Sequence, residues 1–197
     1  MKVYEKWAST YNDEVGDKAQ NYVGPDIVAH AALEASSDRI PTERTISILD
    51  AGCGTGLAGQ ALAKASEEIS IDGIDLSAAM LRVASQTGVY RKLVQADLTR
   101  QLVDLPDEAY DIVTCVGTFT QGHVGPTPAL REFVRVSKDN AIIAATALGD
   151  IWASGGFKAE VEKLKAEGLV TVVSEELIDY VRGHGEKAVL FILEKNN

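Results

Sequence analysis

Leu49-Asp-Ala-Gly-Cys-Gly-Thr-Gly56 follows the short β-branched run Ile46-Ser-Ile-Leu49 and precedes Leu57 to Ala65, where Ala, Leu and Lys favour a helix. The order is strand, glycine turn, helix. Glycines at 52, 54 and 56 let the backbone bend sharply and approach a ligand without interference from a Cβ, at the carboxyl end of a strand and the start of a helix. A nucleotide-type ligand belongs at such a turn. The dinucleotide fingerprint is GxGxxG, and its third glycine would fall at position 57, which is Leu. The spacing is GxGxG instead, which disfavours NAD and FAD. Asp50 is expected at the mouth of the turn, where it would repel a pyrophosphate and suit an ammonium group.

Outward from this turn the alternation repeats. Ile69 to Ile74 reads as a strand, Ser77 as the N-cap of a helix to about Gln86, and Val89 to Ala96 as the next strand. Tyr110 to Val116 is a further strand, Thr127 to Ser137 a helix, and Asn140 to Leu148 a strand. Strands alternating with helices predict right-handed βαβ units and a parallel sheet covered on both faces, a doubly wound α/β architecture of the Rossmann-like kind. Leu169 to Val181 and Lys187 to Glu194 are both strand-like, and Arg182-Gly-His-Gly-Glu186 is too short a link for anything but an antiparallel hairpin. Ahead of the first strand, Gly24-Pro25 reads as the N-cap and first residue of a helix to about Ser36, and residues 2 to 15 as an aromatic-bearing helix. The expected organisation is one domain over residues 1–197, with an N-terminal helical cap (1–45) on a Rossmann-like core (46–197).

Composition narrows the partners. The 197 residues are 46% apolar and 24% charged, an ordinary globular balance. A chain of this length buries roughly 70% of the surface of its unfolded form, so its core needs neither disulfide nor metal. Lys and Arg number 19 against 29 Asp and Glu, a formal charge of −10, which speaks against nucleic acid as a partner because phosphate binding needs clustered basic residues. The longest apolar stretch, Ala141 to Leu148, is less than half the roughly 20 residues that cross a bilayer, so no membrane span is expected. The amino-terminal sequence lacks the apolar core of a secretory signal. Cys53 and Cys115 form no CxxC or Cys/His cluster, so no metal site is expected, and the reading is a cytoplasmic protein, a monomer or homodimer.

Two further carboxylates close strands. Asp75 ends the second, where it can accept both hydroxyls of a ribose, and Asp97, within Gln95-Ala-Asp-Leu98, ends the third, where it can accept from an adenine amino group. A ribose, an adenine and an ammonium group together describe S-adenosylmethionine. At this point the sequence resembles the class I S-adenosylmethionine-dependent methyltransferases. The resemblance rests on Leu49 to Gly56, Gly73-Ile-Asp-Leu-Ser77, Gln95 to Leu98 and Tyr110-Asp-Ile-Val-Thr-Cys-Val116, in family order and spacing. It implies that Asp50, Gly52, Cys53 and Gly54 hold the methionine part and Asp75 the ribose. It also implies that Leu76 and Met80 flank the adenine, that Ala96, Asp97 and Leu98 read its edge, and that the Val116 carbonyl accepts from the ammonium. Tyr4-x-x-Trp7-Ala-x-x-Tyr11 and Tyr22-x-x-Pro25 look like the cap of small methyltransferases similar to the Williams–Beuren region protein, which adds Tyr11 and Tyr22 to the cofactor contacts.

Methyl transfer is an in-line displacement that needs alignment more than acid–base chemistry. Where the acceptor is a hydroxyl, a base helps, and His123, in the loop after the fourth strand, is the candidate; the alternative is a histidine that only orders this loop or packs on Phe119. Trp7, Tyr11, His123 and Trp152 are the candidate substrate contacts, Tyr11 also as part of a lid, and the glycines around Trp152 suggest a mobile segment. His30, His184, Cys53 and Cys115 carry no expected catalytic role. The leading expectation is methyl transfer from S-adenosylmethionine, leaving S-adenosylhomocysteine, to oxygen, nitrogen or carbon of a small organic acceptor. The alternatives are a non-methylating S-adenosylmethionine-binding protein, either a cyclisation catalyst or a binding module, and an NAD-linked oxidoreductase.

Overall fold

The computed structural model describes residues 21–40, 44–183 and 185–197. The helix expected over residues 2 to 15, and with it Tyr4, Trp7 and Tyr11, lies outside the described residues, as does His184. In chain order the elements are α1 (Gly24–Ser36), β1 (Ile46–Ala51), α2 (Leu57–Ala65), β2 (Ile69–Asp75), α3 (Ala78–Gln86), β3 (Tyr90–Gln95), β4 (Tyr110–Phe119), α4 (Ala129–Val136), β5 (Ser137–Leu148), α5 (Gly149–Trp152), α6 (Phe157–Ala166), β6 (Val170–Val181) and β7 (Glu186–Lys195).

The strands form one sheet in the order β3-β2-β1-β4-β5-β7-β6. β1 pairs in parallel with β2, from Ile46 opposite Ile69 to Ala51 opposite Ile74, and with β4, from Ile48 opposite Ile112. β7 runs antiparallel to both β5 and β6, which is the expected hairpin, with its second strand wedged inside the sheet. The strand order reverses between β1 and β4. The crevice outside the carboxyl ends of strands at such a switch point is where a doubly wound sheet binds ligand.

Both faces of the sheet are covered, which is why β1, β4 and β5 read as near-continuous apolar runs. On one face α1 sets Val28, Ala29 and Ala32 with Leu62 of α2 against Ile48, Ile71, Ile112 and Ile142. On the other, Leu130 and Phe133 of α4 and Val161 and Leu164 of α6 pack on Leu49, Val113 and Ile143. Helix α1 begins at Gly24, one residue earlier than its Gly-Pro pair predicts, with Val23 as N-cap. The Val23 N–H donates to the Tyr180 carbonyl, 3.1 Å away on β6, so the entry to the helix is fixed by the sheet. Strand β5 begins at Ser137, directly after α4, because Ser137 already pairs with Tyr110. The segment after β5, expected to be mobile, contains the short helix α5.

The amino end of the sheet is pinned by charge. Asp111 on β4 is buried and accepts from Arg44 at 2.8 and 2.7 Å, from the Ser47 amide at 2.9 Å and hydroxyl at 2.7 Å, and from Lys138 at 3.1 and 3.0 Å. Asp72 on β2 takes a bidentate pair from Arg91 and a bond from the Tyr110 hydroxyl. No helix among the described residues is long and apolar enough to cross a membrane.

Candidate functional site

A cleft of about 450 Å³ opens over the carboxyl ends of β1 to β4. Each wall comes from the residues that leave one strand. Gly52 to Thr55, with Leu57 and Ala58, follow β1; Asp75 to Ser77 and Met80 follow β2; Ala96 to Thr99 follow β3; and Val116 to Thr118 and Gly122 to Val124 come from the end of β4 and its loop. Tyr22 and Pro25 close the cleft from the α1 side.

The glycine turn is held from within. The Gly52 and Cys53 amides both donate to the Ile74 carbonyl, at 2.8 and 2.9 Å, and the Gly56 amide donates to Cys53. Gly52 has φ +72°, and a Cβ there would collide with the Thr118 hydroxyl, so this position requires glycine on both counts. A Cβ on Gly54 would meet nothing within 4 Å, so the backbone there faces open space. Asp75 is tied to the same turn: its carboxylate accepts from the Gly54 amide at 2.9 Å and the Ser77 amide at 2.8 Å. Burial raises its pKa, and these two backbone bonds oppose the rise. A carboxylate has about four lone-pair sites, so two remain for the cleft. Asp97 forms a turn with Thr99, accepting from its hydroxyl and amide, and these bonds lower its pKa. Asp75 and Asp97 are the formally charged side chains among the described residues of the wall, and both are negative.

Of the residues expected here from the sequence, Tyr22, Gly52, Cys53, Gly54, Asp75, Leu76, Met80, Ala96, Asp97, Leu98, Val116 and His123 all line the cleft. Trp7 and Tyr11 lie outside the described residues. Two placements differ. Asp50 is not at the mouth of the turn but beneath it, 0% exposed and off the cleft wall. One of its oxygens accepts from the Tyr90 hydroxyl at 2.7 Å and the other from Thr114 at 3.3 Å. Burial pushes its pKa up to about 6, against these hydrogen bonds, with the nearby Asp75 adding to the rise. Trp152 does not reach the cleft either. Helix α5 turns its indole into the core, 5.0 Å from the Phe191 ring centre, with the N–H donated to Glu175 at 2.9 Å.

Sequence reasoning missed Tyr90. Its ring fills a socket left by three glycines: a Cβ on Gly56, Gly59 or Gly73 would press on Tyr90, and the one on Gly59 would strike its hydroxyl. The three glycines therefore let a β3 side chain pass under the turn and hold Asp50. Both thiols are buried and their pKa values are pushed up by burial, which leaves little nucleophilic thiolate at Cys53 or Cys115. His30 is exposed on α1, outside the cleft, with Nδ1 2.8 Å from the Asp26 carbonyl oxygen. No group of three or more His, Cys, Asp or Glu placed to hold a metal occurs among the described residues.

Comparison with known proteins agrees with this geometry. A family profile described as a methyltransferase domain matches residues 48–140, from within β1 into β5. Methyltransferase-like protein 27 of Homo sapiens is 29% identical over 147 residues, which is 74% of this chain and 56% of that protein. The mitochondrial ubiquinone biosynthesis O-methyltransferase of Candida albicans is 34% identical over 85 residues, 41% of this chain and 26% of that protein. The chain thus spans from about a quarter to a little over half of the length of these two relatives. Among solved structures, a TehB-like S-adenosylmethionine-dependent methyltransferase of Corynebacterium glutamicum superposes with TM-score 0.65 at 22% identity, covering 99% of both chains. One chain of the complex between the Haloferax volcanii Trm112 methyltransferase activator and a methyltransferase superposes with TM-score 0.68 at 17% identity, covering 98% of both. At these identities the likeness is one of fold.

Proposed function

Since the chain belongs to the class I S-adenosylmethionine-dependent methyltransferases, we propose that it methylates oxygen, nitrogen or carbon of a small organic acceptor in the cytoplasm. The observation that carries this reading is the sign of the cleft. Its charged wall residues are Asp75 and Asp97, and Asp50 lies buried below, so a cationic amino-acid nucleoside is favoured there and a diphosphate is repelled.

The residues present fit that cofactor. The open backbone at Gly54 and the spare lone pairs of Asp75 suit a ribose, and Leu76 and Met80 with Leu98 supply apolar contact for an adenine. Bound there, the cofactor supplies a methyl group already activated by its sulfonium. The chain's own contribution is alignment and exclusion of water by Tyr22, Pro25 and Val116, and the position of His123 on the cleft wall supports it as the base that takes a proton from the acceptor. The acidic balance of the chain supports a small molecule over RNA as acceptor. No observation favours a non-methylating role.

Calorimetry tests the cofactor: S-adenosylmethionine is expected to bind and NAD is not, and tighter binding of NAD overturns the reading. Methyl-labelled cofactor incubated with extract divided into small-molecule, protein and RNA fractions tests the acceptor, and label confined to RNA contradicts the charge argument. For His123, the His123→Ala chain is expected to label the accepting fraction about 10²- to 10⁴-fold more slowly at saturating cofactor. Unchanged turnover removes His123 from the mechanism.

A further inference from the structure

Tyr90 stands off the cleft wall, and the reaction described so far does not use it. Its ring nevertheless crosses a whole strand to reach the ground beneath the glycine turn. Asp50 of β1 is in register with Gly73 of β2, and β2 lies between β1 and β3. The missing side chain of Gly73 opens the way, since a Cβ there would stand 2.9 Å from the Tyr90 ring. A Cβ on Gly56, the N-cap of α2, would stand 3.1 Å from the same ring, and one on Gly59 would collide with the hydroxyl. At the end of this passage the phenol donates to one oxygen of Asp50 at 2.7 Å. Burial, with the Asp50 charge beside it, pushes the Tyr90 pKa up, so the phenol keeps its proton and is the donor to the ionised carboxylate.

A hydrogen bond donated to a carboxylate favours its charged form, and burial disfavours it. For Asp50 burial is the larger effect, and the Tyr90 bond is the strongest of those opposing it, ahead of Thr114 at 3.3 Å and the Gly59 amide in the first turn of α2. Among the described residues the titratable groups that bear on Asp50 are Tyr90, Asp75 and the thiols of Cys53 and Cys115, none of them a cation. The charge under the turn therefore depends on one phenol. We propose that Tyr90 is a positioning residue that holds the Asp50 carboxylate ionised beneath the glycine turn and so sets the preference of the chain for the sulfonium cofactor over its product, which is neutral at sulfur. The inference rests on the reading of the cleft as the S-adenosylmethionine site.

The test measures Kd for S-adenosylmethionine and S-adenosylhomocysteine from pH 5 to pH 8 on the wild-type, Y90F, D50N and D50N/Y90F chains. In the wild type the preference for S-adenosylmethionine is expected to grow as pH rises through about 6, where Asp50 ionises. Y90F keeps the ring in its socket and removes the donor. It is expected to move that growth to higher pH by about one to two units, the size of one hydrogen bond to a charged group. D50N is expected to lose the growth altogether, which separates Asp50 from Asp75 on the wall, and D50N/Y90F to match D50N, because Tyr90 acts through Asp50. A Y90F profile that superimposes on the wild type overturns the inference. So does a flat wild-type profile, an equal weakening of both ligands by Y90F at every pH, or a D50N chain that keeps the wild-type profile. A wild-type chain that binds neither ligand overturns instead the reading on which the inference rests.

Discussion

Replacing Asp111 with alanine is expected to destabilise the fold by about 3 kcal/mol, the low end of the range for breaking a buried ion pair, because Arg44 and Lys138 remain partly solvated when they lose their partner. For a chain of this size that corresponds to a fall of roughly 6–12 °C in Tm. The cause is the concentration of bonds on one carboxylate: it joins the backbone entering β1 to β4 and to the start of β5. Burial would raise the Asp111 pKa, but the bonds from Arg44, Ser47 and Lys138 outweigh it and hold the group well below the usual carboxylate range. A depressed folded pKa contributes stability that is present above the unfolded value, about 3.9, and is lost as pH falls below it. Urea unfolding of both chains at pH 7 and pH 3 checks this. The gap between them should narrow at the lower pH, and a difference under about 1 kcal/mol at pH 7 would show that Asp111 is not the pin described.

Asp50 has the opposite sign. Its folded pKa is raised to about 6, so the stability it contributes is present below about pH 3.9 and is lost as pH rises through 6. At pH 8 the buried charge costs the cofactor-free chain about 3 kcal/mol. Asp50→Asn keeps an oxygen for the Tyr90 hydroxyl and removes the charge. It is expected to stabilise the cofactor-free chain at pH 8 by that order and to have little effect near pH 4. The same change should weaken S-adenosylmethionine about tenfold at pH 8, since a unit charge beneath a cationic ligand is worth on the order of 1–2 kcal/mol. S-adenosylhomocysteine, neutral at sulfur, should lose less. A variant equally tight for both ligands, or less stable than wild type at pH 8, would refute this assignment of Asp50.

The parts of the molecule legible in the sequence are those set by local chemistry. The β1 turn was readable because a strand, three spaced glycines and a helix occur within one short stretch. Asp75, Asp97 and Val116 could be placed because strand ends of a parallel sheet share one edge, and all three line the cleft. The depth of Asp50 was not readable. On a strand buried on both faces, alternation no longer says which side chains look out, and its partner Tyr90 comes from two strands away. Trp152 was misplaced for a similar reason: the indole follows Phe191 and Glu175, residues brought to it only by the pairing of β5, β7 and β6. The contact of Tyr180 with Tyr22 gives no signal within β6, since its partner lies 158 positions earlier in the chain.

The position of β7 between β5 and β6 also bears on how the molecule is made. During synthesis β6 leaves the ribosome before β7, yet its ladder partner is β7, so β6 stays unzipped until β7 has emerged. The clasp between residues 21–24 and β6 then closes only after β7 has emerged, although half of it is made before β1. A nascent polypeptide stalled before Glu186 would therefore carry the glycine turn intact and lack one side of its pocket.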